Sequence, residues 1–121
     1  MATSDTDQQK PKIGIKKVGA SSVLTPGESP TYQNCKELED LIQGLINKNQ
    51  TRIILDFKTA AFMDSKALEL MLQLHNTLKH RGGALKITGL NAVCRDILLA
   101  TRLVNVLHVY EDIAEALRSY P

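Results

Sequence analysis

Asp64-Ser65-Lys66-Ala67 places a carboxylate, a hydroxyl and an ammonium at the point where a helical repeat begins, so this is where chemistry would be sought first. A serine opening a helix can cap it by accepting an amide N–H, worth about 1 kcal/mol; Ser65 is the expected cap. A cation in the first turn opposes the helix dipole by roughly 0.3–1 kcal/mol. Lys66 therefore needs another reason to be there, either pairing with Asp64 or a permanent contact to an acidic partner surface. Asp56 ends an apolar run at the expected carboxyl edge of a sheet, where open α/β sheets hold ligands, and Thr59 follows in the loop. Asp56 and Asp64 alone are too few donors for the ligand sets that metals take, so no metal is expected.

Nucleophilic catalysis is not expected either. His75 has no serine or cysteine at an interpretable spacing, and no GxSxG elbow, HExxH, P-loop or GxGxxG accompanies Ser65 or Cys94. Cys35 and Cys94 lie inside apolar helical patterns without CxxC or Cys/His spacing, which reads as reduced, buried thiols. No cofactor is implied. On the helix after Ser65, Leu68 and Leu72 form an apolar shoulder that His75 and Lys79 continue. Such a shoulder is either a partner groove or a packing surface against the third helix.

The elements that position these groups follow from hydrophobic spacing. Cys35, Leu38, Leu41, Ile42, Leu45 and Ile46 recur at helical intervals and predict a helix over about 34–48, with Thr31 or Asn34 as its cap. Arg52 to Phe57 is a β-branched apolar run, the signature of a strand buried on both faces. From Ser65, the residues Ala67, Leu70, Met71, Leu74 and Leu78 share one helical face, closed by His80-Arg81 and Gly82-Gly83. Ala84 to Thr88 is the next strand, Asn91 caps a third helix, Val106 to Tyr110 is a further strand, and Asp112 opens a last helix. Before them, residues 12–25 carry two weak strand signals suited to an edge hairpin, and the loop Thr25 to Pro30 is punctuated by two prolines. Alternation of this kind implies a mostly parallel sheet with right-handed crossovers.

With 121 residues, 43% hydrophobic and 23% charged, the chain suits one domain over 12–121, behind a flexible tail of residues 1–11. Its net charge of +2 is too balanced to indicate nucleic acid. No apolar stretch is long enough for membrane insertion, and no signal peptide is present, so a cytoplasmic location is expected.

From Ile53 to Leu117 the sequence resembles the core of STAS domains, as found in bacterial anti-sigma-factor antagonists. The resemblance is carried by the strand ending in Asp56, the turn Phe62-Met63-Asp64-Ser65, Arg81-Gly82-Gly83 before a strand, and the closing segment from Asp112 to Leu117. It implies a four- to five-stranded, mostly parallel sheet with an N-terminal edge strand or hairpin and about four helices. It also implies a non-enzymatic regulatory module whose partner, in a partner-switching pathway, is an anti-sigma factor that is also a serine kinase. In those antagonists the turn reads Asp-Ser-Ser-Gly or Asp-Ser-Thr-Gly and the second hydroxyl is phosphorylated. Here Lys66 holds that position and Ala67 replaces the glycine. The usual switch is therefore not expected, and Ser65 is the hydroxyl left in the turn as a displaced acceptor. The family's Gly-x-Leu-Asp segment is represented by Gly27-Glu28-Ser29-Pro30, without the aspartate. The resemblance also allows a small cytoplasmic subunit that binds the ATPase of a lipid ABC transporter. The partner surface implied comprises Asp64, Ser65, Lys66, Leu68, Leu72 and His75, with Asp56 and Thr59 supporting the loop.

Overall fold

The computed structural model describes residues 13–120; the expected flexible tail, 1–11, lies outside them. Strands β1 (Gly14–Val18) and β2 (Ser21–Thr25) form the expected hairpin, antiparallel from Gly14↔Thr25 to Val18↔Ser21, turning through Gly19 at φ 60. β2 is parallel to β3 (Arg52–Asp56), which is parallel to β4 (Ala84–Thr88), which is parallel to the short β5 (His108–Val109). The spatial order β1-β2-β3-β4-β5 is the chain order.

Between the parallel strands run α1 (Cys35–Asn47), α2 (Ser65–His80) and α3 (Ala92–Ala100), and α4 (Ile113–Arg118) follows β5. Successive right-handed crossovers along one direction put α1, α2 and α3 on a single face. Their Ile42, Ile46, Met71, Leu74, Leu78 and Leu98 bury against Leu24, Ile53, Leu55, Leu85 and Ile87 of the sheet. The residues between these point the other way, where α4 covers Val23 and Ile54 with Ala116. β3 is therefore buried on both faces, which is why it reads as an unbroken apolar run rather than an alternation.

Three local expectations are corrected. Asn34 does occupy the N-cap position of α1 but makes no capping bond; its Oδ1 accepts from Thr31 N at 2.9 Å and its Nδ2 donates to Ser29 O at 2.8 Å, so the side chain ties down the preceding loop instead. The strand expected over Val106 to Tyr110 shrinks to His108–Val109, because a 3₁₀ turn at Leu103–Asn105 occupies the connection and Val106 N closes it onto Leu103 O. An edge strand with one neighbour has little to oppose that turn. Finally, Asp64 rather than Ser65 caps α2, as described below.

Candidate functional site

Three loops meet at the carboxyl edge of the sheet around the start of α2. Asp64 has extended backbone (φ −99, ψ 178), and its Oδ1 accepts from Ala67 N at 3.0 Å, closing the first turn. Its Oδ2 accepts from Tyr32 N at 2.8 Å, and its own N donates to Pro30 O at 3.4 Å, so the loop before α1 is fastened to the start of α2. Ser29 Oγ accepts from Ala61 N at 2.9 Å and Phe62 N at 3.3 Å. From the third loop Asn91 Nδ2 donates to Ala60 O at 3.1 Å and Ala61 O at 3.2 Å, while its Oδ1 caps α3 through Cys94 N. Ser29 lies in the segment Gly27 to Pro30 that the family resemblance puts near the site, whereas nothing in the sequence assigns Tyr32 or Asn91 to this corner; each of the three acts through a contact some thirty residues away in the chain, for which no local pattern exists.

The Ala67 amide, assisted by that of Tyr32, holds the Asp64 carboxyl below the ordinary carboxylate range. Asp64→Ala removes the acceptor for both amides and is expected to cost about 1–2 kcal/mol. Ser65→Ala should stay within about 0.5 kcal/mol, as surface substitutions usually do. Urea unfolding of the two variants checks this, and equal losses would mean that Ser65 shares the cap.

Ser65 is the first residue of the helix and is exposed. Lys66 pairs with Glu69 at 3.1 Å, not with Asp64, because one helical turn carries its ammonium towards the carboxylate three residues ahead. That bond with Glu69 raises the lysine's pKa. Asp56 is buried, accepts from Lys58 N at 3.1 Å and lies 4.0 Å from Lys58 Nζ, beside Gly89. Thr59 is exposed in the following turn. Both carboxylates therefore serve backbone donors, and among the described residues no three His, Cys, Asp or Glu side chains converge to hold a metal.

The apolar shoulder of α2 is not presented to a partner as a unit. Leu68 is 8% and His75 5% exposed, with Leu72 half-buried. His75 instead stands edge-on to His108 of β5, ring centroids 5.6 Å apart, with its Nδ1 unpartnered. Burial, then the neighbouring His108 and Lys79, push its pKa below the usual 6.5. The unfolded chain binds this proton more tightly than the folded one, so stability is full above pH 6.5 and falls as pH drops through that value towards the lower folded pKa. Urea midpoints at mildly acid and mildly alkaline pH should show the slope, and His75→Gln should flatten it; an unchanged slope would place the effect elsewhere.

Both thiols are buried. Burial raises the pKa of Cys94, whose Sγ lies 3.8 Å from Ala60 O, and burial followed by the Asp64 charge raises that of Cys35. A cleft beside the corner, lined by Pro26, Gly27, Pro30, Asn34, Cys35 and Leu38, has a volume of ≈ 20 Å³, space for about one water. What the corner does offer outward is Tyr32, 70% exposed, and Phe62, 47% exposed, beside Ser65 and Lys66. No helix among the described residues is long and apolar enough to cross a membrane.

Comparison with known proteins gives the same architecture. A candidate anti-sigma factor antagonist from Thermotoga maritima superposes with a TM-score of 0.83 at 20% identity, covering 88% of this chain and 92% of that one. An anti-sigma factor antagonist from Mycobacterium paratuberculosis gives 0.78 at 16%, covering 91% and 93%. The phosphorylated form of the Bacillus cell fate determinant SpoIIAA gives 0.68 at 20%, covering 88% and 97%. At these identities the likeness is one of fold. A search of curated proteins finds no match. The STAS domain profile, however, matches the sequence itself over residues 12–116, and the hairpin-opened parallel sheet is the fold it describes: the chain belongs to the STAS domain family.

Proposed function

We propose that this protein is a non-enzymatic regulatory module of the cytoplasm that binds another protein through the corner at the start of α2, as an anti-sigma-factor antagonist in a partner-switching pathway. The observation that carries this reading is the corner's combination of internal satisfaction and outward exposure. Asp64 and Asp56 both accept from backbone amides. Tyr32, Phe62, Ser65 and Lys66 nevertheless face solvent on a fixed scaffold. Exposed aromatic anchors beside a polar, pre-organised helix end are the composition of a protein-binding hot spot. Of the residues named from the sequence, Asp64, Ser65 and Lys66 belong to this surface, Asp56 and Thr59 to its supporting loop, and Leu72 to its margin.

Lys66 cannot accept phosphate, so the usual phosphoserine switch is absent and partner release is controlled otherwise. The exposed Ser65 hydroxyl is the remaining acceptor in the turn. Phosphate there would sit at the positive end of the α2 dipole and add charge and bulk at the contact surface without unfolding it. Lys66 at the acceptor position also supports a second reading, a constitutive cytoplasmic subunit bound to the ATPase of a lipid ABC transporter.

Purification from the native host with intact-mass analysis tests both readings. An anti-sigma-factor kinase that co-purifies with the wild type and is lost with Phe62→Asp sustains the proposal. A transporter ATPase in its place overturns it for the second reading. Phosphate on Ser65 or Thr59 would show a switch with a shifted acceptor.

A further inference from the structure

The charges of this chain are balanced in number but segregated in space. The parallel strands all start at one end of the molecule, and α1, α2, α3 and α4 all return to it. Exposed at that end are Lys17, Lys48, Lys79, Arg81, Arg102 and Arg118. No carboxylate of the described residues falls in the last turns of α1, α2 or α3, in the segments joining those helices to the next strand, or in the β1–β2 turn. The ion pairs of Lys36, Lys58, Lys66 and Arg95 with Glu39, Asp40, Asp56, Glu69 and Glu111 all lie on the other half. Several basic residues at helix C-termini are accounted for by the helix dipole. That account does not reach Lys17, in a strand, and it does not explain why carboxylates are missing from the connecting segments.

We propose that this basic end docks on the surface of an anionic lipid bilayer. Charge complementarity is the first support: among the described residues the last helical turns carry one carboxylate, Glu115 of α4, which is turned back to accept from Glu111 N at 2.8 Å, and a basic cluster of this kind is drawn to an anionic membrane by about 1 kcal/mol for each residue near the surface. The second is apolar. Leu99, 54% exposed in the last turn of α3, and Val106, 41% exposed after the 3₁₀ turn, flank Arg102 at the same end and can enter the headgroup region. Nucleic acid is a poorer fit, because the described exposed aromatics on which bases would stack, Tyr32 and Phe62, are at the opposite end. Docked this way, the protein lies on the bilayer without crossing it and holds the Asp64 corner away from the membrane.

The test is co-sedimentation of the full chain with vesicles of phosphatidylcholine alone or mixed with phosphatidylglycerol, at low and high salt. Binding is expected only to the mixed vesicles, to weaken with salt, and to fall about tenfold or more in Lys48→Glu/Lys79→Glu. Those exposed positions leave the core intact, and circular dichroism verifies the fold. Val106→Ser should weaken vesicle binding while leaving retention on a soluble polyanion unchanged. Absence of binding at low salt, equal binding to neutral vesicles, indifference to the charge reversals, or tighter capture by duplex DNA than by vesicles would each overturn the proposal. Salt-dependent self-association without vesicles, abolished by the same reversals, would overturn it in favour of a second copy as the occupant. None of these outcomes depends on which protein binds the Asp64 corner.

Discussion

Gly83→Ala is expected to lower stability by about 3 kcal/mol, the upper end of overpacking costs, and thereby the melting temperature by roughly 10 °C. The reason is local and steric. A Cβ at Gly83 would stand 2.2 Å from the carbonyl oxygen of Thr51 and 2.4 Å from its Cβ. The oxygen belongs to the backbone and has no rotamer to escape into, so the chain itself must shift. That shift falls where Ala84 N donates to Thr51 O at 3.1 Å and Arg52↔Ala84 opens the β3–β4 register. Gly44 supplies the contrast: it lies within α1 and a Cβ there meets nothing within 4 Å. Gly44→Ala should therefore raise stability by about 0.5–1 kcal/mol through helix propensity alone. Thermal and urea unfolding of the pair decide the matter, and a Gly83→Ala protein melting at the wild-type temperature would show that the β3–β4 entry is not tightly constrained.

Lys86 is the second position where a large effect is expected. It is 4% exposed on the α4 side of the sheet and has no carboxylate partner among the described residues. Its ammonium lies 4.1 Å from the ring centroid of Tyr120 and 5.0 Å from that of Tyr110, and it donates to Tyr110 Oη at 3.4 Å and to Ser119 Oγ. Two ring faces and two hydroxyl oxygens thus replace the counterion. Lys86→Glu puts a carboxylate against the negative faces of both rings and is expected to cost about 3–5 kcal/mol, the range for an uncompensated buried charge. Lys86→Met removes the charge but keeps the volume, and should fall within about 1.5 kcal/mol of wild type. Ser119 Oγ retains its bond to Ala116 O at 2.6 Å in either case. The chain has no tryptophan and three tyrosines, two of them here, so near-ultraviolet circular dichroism reports directly on this box. Similar losses for Met and Glu would mean that the ammonium itself, and not the avoidance of a carboxylate, fixes α4.

The order of elements was legible because each of its signals is local. Periodicity of 3.6 through Leu38, Ile42 and Ile46, the β-branched run from Ile53, and the polar caps Asn91 and Asp112 all act over a few residues, and all stand in the structure as read. The cap of α2 was misplaced by one residue because serine and aspartate are both good N-caps. Asp64 prevails because its second oxygen also holds Tyr32, a contact invisible to local pattern. Lys86 illustrates the same limit inside a strand: its type suggests exposure, and only the return of Ser119 and Tyr120 over the sheet makes its burial tolerable.

For the site, the sequence by itself determined which groups stand at the start of α2, since this depends only on residue identity and helical phase. The tertiary structure alone decided that Leu68 and His75 are enclosed, that Ser29, Tyr32 and Asn91 complete the corner, and that a net charge of +2 separates into a basic end and an acid-bearing half. The physical reason is that burial, loop-to-loop hydrogen bonds and the summed field depend on distances between residues far apart in the chain. Those distances are set by the parallel crossovers, which bring every strand start and helix end to one side of the molecule.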